Sequence, residues 1–283
     1  MDANTKQQSV FREVAIYTLW LLIGAAAVIL LVFLFTYLVF RSKVVANEAM
    51  IMLVAVIWIV THIRLRKNGM SYSDIWLKFT PRFLVKLPLG FNIGAAFIVI
   101  IFITLWTTKL ITFQPNTVTG LLIMVLLANL VFTLIQSGVE ELVFRGYLLK
   151  ILAGKGHAFA IVTTSAIFTL LHFHHGINLV GWLNIFFFGV VMAQMIFTWK
   201  NLWFPWGFHA GWNFFQTDII SFPVYGRLRV GLLELNLVPG RDIVTGGSYG
   251  PEGSLLTTAL LVLLMIAIFY LPALKRIAGK IES

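Results

Sequence analysis

The sequence predicts an all-α fold, a polytopic transmembrane helical bundle of about eight spans forming a single integral membrane domain over residues 1–283. Three observations carry that expectation. Mean hydropathy is +0.92 over the whole chain. Only 11% of residues are charged, against about 25% in an ordinary soluble domain. Several uncharged runs approach or exceed the roughly 20 residues a helix needs to cross a bilayer.

Taken in order, the apolar runs are Ala15–Phe40, Val44–Ile63, Leu87–Thr107, Leu121–Leu149, His157–His175, Leu179–Trp199, Leu202–Ser221 and Leu255–Leu274. Glu48 interrupts the start of the second. The first run is too long for the core of a cleavable signal, and no small-residue cleavage site follows it. With both termini inside, the inner segments hold 15 Lys and Arg and the outer segments 6, so the positive-inside rule assigns both termini to the cytoplasm. This accounts for the net charge of +10 without a nucleic-acid partner. Residues 64–86 read as a basic amphipathic cytoplasmic segment on the anionic inner leaflet. Residues 222–254 read as an extracytoplasmic loop rich in Gly and Pro. The chain has no Cys, which excludes disulfides, thiolate-bound zinc and a cysteine nucleophile.

An ionisable group in hydrocarbon costs about 2.5–3.5 kcal/mol even on the gentlest scale, so each is a functional candidate. The fourth run carries Gln136, Glu140, Glu141 and Arg145. Arg145 follows Glu141 by one turn and suits an ion pair. Glu140 is left without a sequence-local partner, on one helical stripe with Asn129, Thr133 and Gln136. The turn to the fifth span is Gly154-Lys155-Gly156; Glu140 lies 16 residues before Gly156 and His172 lies 16 after it. Equal separation from the turn of an antiparallel hairpin puts the two at one height. Pro205 is placed to open the seventh helix. His209, nine residues past Lys200, or about 13 Å of helix, falls in the inner half of the membrane. Asn213 follows one turn on, and Gly211 between them allows close helix approach.

Four polar groups from three helices thus define a catalytic core over about residues 121–221. A glutamate in an apolar cavity can serve as general base, a histidine can orient water, and a histidine with an asparagine can stabilise an oxyanion. The same Glu140, His172 and His209 could instead hold a divalent metal, zinc, with an open water position. Either assembly hydrolyses a peptide bond. No serine-type, aspartyl-dyad or His-Glu-x-x-His site is evident: Asp218 is the only aspartate inside a span. His174 and His175 read as outer-surface residues, Trp199, Trp203 and Trp206 as an inner aromatic belt, and Phe186–Phe188 as lipid-facing.

Glu140-Glu141-x-x-x-Arg145, Phe168-x-x-x-His172 and His209-x-x-x-Asn213, in that order and within spans, resemble the motifs of the CAAX protease and bacteriocin-processing family of intramembrane proteases, which includes the type II CAAX prenyl endopeptidase. The resemblance covers Leu121–Ser221. It implies a helical bundle with a cavity open to the cytosol. Glu140 and His172 would activate water, His209 and Asn213 would form the oxyanion hole, and Glu141 and Arg145 would position the base. Phe168 would support His172 by packing. The family is commonly called metalloproteases, and a metal-independent glutamate mechanism is also proposed for it. The asparagine beside His209 reads as a donor rather than a ligand, which favours glutamate-activated water and leaves zinc open. The expected partners are the lipid bilayer and a membrane-associated peptide or protein substrate, in a bacterial cytoplasmic membrane. The alternatives are a non-catalytic membrane scaffold or immunity protein of the same fold and, against the absence of internal repeats, a proton-coupled transporter.

Overall fold

The computed structural model describes residues 3–35, 46–173, 178–224 and 230–281. The helices are α1 (Ala3–Phe35), α2 (Ala46–Lys67), α3 (Phe83–Thr107), α4 (Gly120–Glu141), α5 (Leu149–Leu152), α6 (His157–Leu171), α7 (Leu179–Trp199), α8 (Trp203–Phe214), α9 (Asp242–Thr245) and α10 (Leu255–Ile281). A π-helical stretch, Leu142–Leu148, joins α4 to α5, and a second, Phe215–Ile219, extends α8. Strands β1 (Ile111–Pro115) and β2 (Leu233–Leu237) form an antiparallel ladder that ties the exit of α3 to the loop before α10.

The helical bundle agrees with the sequence expectation; a count of eight spans is not confirmed. Among the described residues, four helical segments are long and apolar enough to cross a membrane: Ser9–Val28, Phe83–Thr107, Gly120–Lys155 and Leu179–Trp199. The segments His157–Leu171 and Leu255–Tyr270 are apolar but shorter. Residues 36–45, His174 and His175 lie outside the described residues. Residues 64–86 form the end of α2, a 3-10 turn at Tyr72–Ile75 and a strap into α3, with Ile75 and Leu77 buried and Phe79, Leu84 and Val85 exposed.

Caps set the helix starts. The Thr119 hydroxyl accepts from Leu122 N–H at 3.1 Å, and the Asn178 amide oxygen accepts from Gly181 N–H at 2.8 Å. Ser254 Oγ likewise accepts from Thr257 N–H at 3.1 Å, each satisfying an otherwise orphan helix donor. Helices α1 and α2 are clamped by a hydrogen bond between the Tyr17 and Thr61 hydroxyls at 2.8 Å. Arg64 and Tyr147 both donate to Glu13, which holds this pair against the π-helical stretch.

The packing that positions α8 is made by four glycines. A Cβ at Gly90 would lie 2.1 Å from Phe204 O, and one at Gly94 2.0 Å from Phe208 O. Reciprocally, a Cβ at Gly207 would lie 2.0 Å from Leu87 O, and one at Gly211 2.0 Å from Phe91 O. Each helix therefore presents two glycines one turn apart, and the backbones meet directly, as in small-residue membrane interfaces. On its other side α8 lays Trp206 over Gly138 of α4, where a Cβ would come within 2.1 Å of the indole. The Trp206 indole N–H donates to Leu134 O at 2.7 Å. Held between α3 and α4, α8 has little freedom to slide or rotate.

Candidate active site

The site begins with the last turn of α4. Glu141 and Arg145 are both fully buried, and Arg145 Nη1 donates to Glu141 Oε1 at 3.3 Å, as the one-turn spacing anticipates. The π-helical stretch starts immediately after Glu141, and all seven of its residues are buried. The Arg145 guanidinium lies 4.3 Å from the Phe168 ring centroid and 5.7 Å from that of Phe144. Such stacking suits a planar cation in a site with few acceptors.

His209 bridges the two glutamates. Its Nδ1 is 2.9 Å from Glu141 Oε1, and its Nε2 is 3.9 Å from Glu140 Oε2. A carboxylate can only accept at the shorter contact, so Nδ1 carries the proton and donates to Glu141. Glu141 thereby fixes the ring orientation, which Phe188 (centroids 5.1 Å apart) and Phe168 (6.3 Å) support by edge contacts. Glu140 differs from its neighbour: its side chain is 24% exposed, and Gln136 Nε2 donates to its Oε1 at 3.3 Å. One of the two adjacent carboxylates is thus sealed in a buried ion pair, while the other reaches an accessible surface.

His172 closes α6. Its Nδ1 donates to Phe168 O at 2.7 Å, since a carbonyl can only accept, and its ring lies 4.5 Å from the Phe168 ring. Phe168 therefore touches His172, Arg145 and His209 at once, and is the packing residue on which the site's two histidines and its arginine meet. Asn213 sits half-buried one turn beyond His209; its carbonyl accepts from Thr217 Oγ1 at 2.8 Å. Among the described residues its side chain makes no hydrogen bond. Contacts thus join Glu140, Glu141, Arg145, Phe168, His172 and His209 into one cluster, with Asn213 adjacent on α8.

Glu140 has a local partner after all, in Gln136. Phe188 faces the core at 8% exposure and touches His209 rather than lipid. Trp203 is buried and stacks on Trp206 at 4.9 Å, so these two rings pack within the protein. Asp218 is completely buried and accepts from Asn129 Nδ2 at 2.5 Å and from Thr217 Oγ1. The polar stripe of α4 is therefore met by α8 at both ends, and Asn129 spends its amide on that clasp. The sequence signal for it was present: an aspartate near one span's outer end and an asparagine near another's.

Among the described residues no three His, Asp or Glu side chains are grouped to hold a metal ion, and Glu140, His172 and His209 form no such set in this arrangement. The chemistry is accordingly derived from the side chains.

No curated protein matches the chain. Residues 119–215, which contain every residue of the cluster as well as Asn213, match the family Rce1-like, described as type II CAAX prenyl endopeptidase Rce1-like.

Proposed function

We propose that the protein is an intramembrane endopeptidase that hydrolyses a peptide bond of a membrane-associated peptide or protein, of CAAX type or in leader processing. The family match supports a CAAX-type endopeptidase in general. The observation that carries the finer reading is the unequal fate of two adjacent carboxylates, one buried against Arg145 and His209 and the other half-open beside His209 Nε2.

In this reading Glu140 is the general base. It takes a proton from water as the oxygen attacks the scissile carbonyl, and the proton later passes to the leaving amine. His172, with Nδ1–H fixed on Phe168 O, orients the same water. His209 works as a donor in its imidazolium form. Glu141 stabilises that charge from Nδ1, as an acid behind a catalytic histidine does, and Nε2–H then faces the developing oxyanion. Asn213, uncommitted and one turn along α8, supplies the second donor. Arg145 neutralises Glu141, so the carboxylate that holds His209 is tolerated in the interior. Both termini lie on the cytoplasmic side in this reading, in a bacterial cytoplasmic membrane.

The test is cleavage of a peptide library by purified protein in bilayers, with and without chelator, beside Glu140→Gln. The expected result is chelator-resistant cleavage by the wild type and none by the variant, with unchanged thermal unfolding. Full cleavage by Glu140→Gln would reject it as base. Loss of wild-type activity with chelator, restored by zinc, would overturn the metal-free mechanism.

A further inference from the structure

The geometry points to Lys150, Lys200 and Trp76 as a binding site for the phosphate headgroup of an anionic lipid, at the end of the bundle that carries the excess of basic residues. Lys150 belongs to α5, and Lys200 follows α7 directly. Their ammonium groups lie 5.6 Å and 6.0 Å from the Trp76 ring centroid, and Lys200 also lies 5.0 Å from that of Phe197. Two cations that repel one another converge on one indole, and neither has a carboxylate within 4.0 Å among the described residues. The nearby acid, Asp74, is turned onto the Ser71 N–H and hydroxyl at 2.8 Å and 2.7 Å. Burial, and then Lys150, push the Lys200 ammonium below the ordinary lysine range; a bound anion would relieve the repulsion between the two.

The backbone supplies an independent sign. Trp76 and Lys200 are both left-handed, at φ 62° and φ 49°, where a non-glycine residue is strained. Lys200 stands at the end of α7, where glycine is the usual residue. Trp76 O accepts from Leu202 N–H at 3.0 Å, so both strained residues are fixed to the same junction. Backbone strain held by its surroundings clusters at ligand sites.

A lipid rather than a soluble anion follows from what adjoins the pair. The strap beyond Trp76 exposes Phe79, Leu84 and Val85, each about two-thirds accessible, with Lys78 just before Phe79 and Arg82 between Phe79 and Leu84. Apolar side chains interleaved with cations match the acyl and phosphate layers of an anionic leaflet.

The experiment measures thermal unfolding of the full chain in nanodiscs of neutral phosphatidylcholine, without and with phosphatidylglycerol. A ligand that binds only the folded state raises the midpoint. Wild-type protein gains stability from phosphatidylglycerol. The K150Q/K200Q variant loses at least half of that gain, and the charge-matched surface control R66Q/K67Q, exposed at the end of α2, keeps most of it. Lys200→Gly gives opposite signs: equal or higher stability in neutral lipid, where its strain is released, and a reduced gain from anionic lipid. Retention of the full gain in K150Q/K200Q, or equal loss in both double variants, overturns the proposal. So does inorganic phosphate reproducing the gain in neutral discs, which would make the site one for a free anion. A K150Q/K200Q variant that in neutral discs shows a raised KM for free-acid peptides but not for amidated ones would assign the pair to a substrate carboxylate instead. These readouts need no catalytic activity except the last, so they stand apart from the assignment of Glu140.

Discussion

Gly211→Ala adds one methyl group to α8, two residues from His209 and two from Asn213, without touching a polar atom of the site. That methyl would lie 2.0 Å from Phe91 O and 2.7 Å from Phe91 C, about 1.4 Å inside ordinary contact, which begins near 3.4 Å. The obstacle is main chain, so no rotamer change can relieve it. Nor can α8 back away freely, because Trp206 is already pressed against Gly138 on the opposite side. The remaining response is a shift or rotation of α8 by something near 1 Å. Overpacking of this kind costs about 1–3 kcal/mol. Misplacing a catalytic group by about 1 Å costs on the order of 10²-fold in rate, and here the 2.9 Å bond from His209 to Glu141 is directly in line. The expected outcome is a folded protein with a lowered unfolding midpoint and kcat reduced about 10²-fold. Gly120→Ala serves as the control, since a Cβ there meets nothing within 4 Å. The assay is steady-state cleavage in nanodiscs at a temperature well below either midpoint. Wild-type kcat in Gly211→Ala would refute the argument that backbone contact between α3 and α8 sets the position of His209.

Glu140→Gln should lower cleavage at least about 10²-fold, the lower end of a general base's contribution, with an unchanged unfolding midpoint because the side chain is partly exposed. Glu141→Gln should instead destabilise by about 3–5 kcal/mol, since it leaves Arg145 buried without its counter-charge; the double variant Glu141→Leu/Arg145→Met should recover much of that stability and no activity, as read by paired unfolding and cleavage measurements. Hydrogen bonds from the Ser71 N–H and hydroxyl hold the Asp74 carboxyl below its ordinary range. Its stabilising effect is therefore complete above the unfolded value of about 3.9 and disappears as pH falls through the lower folded value. The midpoint difference between wild type and Asp74→Asn should accordingly be present at neutral pH and shrink in strong acid, and a difference that grew on acidification would contradict the sign.

Much of the site was legible because its residues are forbidden by their surroundings: Glu140, Glu141, Arg145 and His209 stand out wherever apolar sequence makes a charge expensive. One-turn spacing gave the Glu141–Arg145 pair; symmetry about Gly156 set His172 level with Glu140, whereas the contact seen between those helices is that of Phe168 with Arg145. What spacing cannot supply is rotational phase between helices. That His209 would bond Glu141 and merely approach Glu140 depends on how α8 is turned against α4, which the glycines on α3 and Gly138 decide jointly. The π-helical stretch after Glu141 has no composition signal that separates it from an α-helix. The ladder of β1 with β2 pairs residues over a hundred positions apart, each strand too short to announce itself inside so apolar a chain.

The phase has a consequence for how two neighbouring glutamates divide the work. Successive residues on an α-helix point about 100° apart, so adjacent carboxylates cannot both face the same partner. Glu141 points to the interior, where Arg145 and His209 Nδ1 occupy one of its oxygens; its other oxygen is buried with no hydrogen-bond partner among the described residues. Glu140 points to the accessible side, with Gln136 as its only hydrogen-bond donor among the described residues. The carboxylate bound to a cation and an imidazole N–H is sealed from water and cannot meet a substrate, whereas the one held by a neutral amide keeps lone pairs on the accessible side. Exchanging the pair tests this division. In Glu140→Gln/Gln136→Glu the carboxylate moves one turn along the same face, remains within reach of the amide, and leaves His209 Nε2 behind. If access alone made a base, the exchanged variant would retain activity. If the geometry to His209 is required, its rate falls to that of Glu140→Gln, and that is the result the 3.9 Å approach leads us to expect.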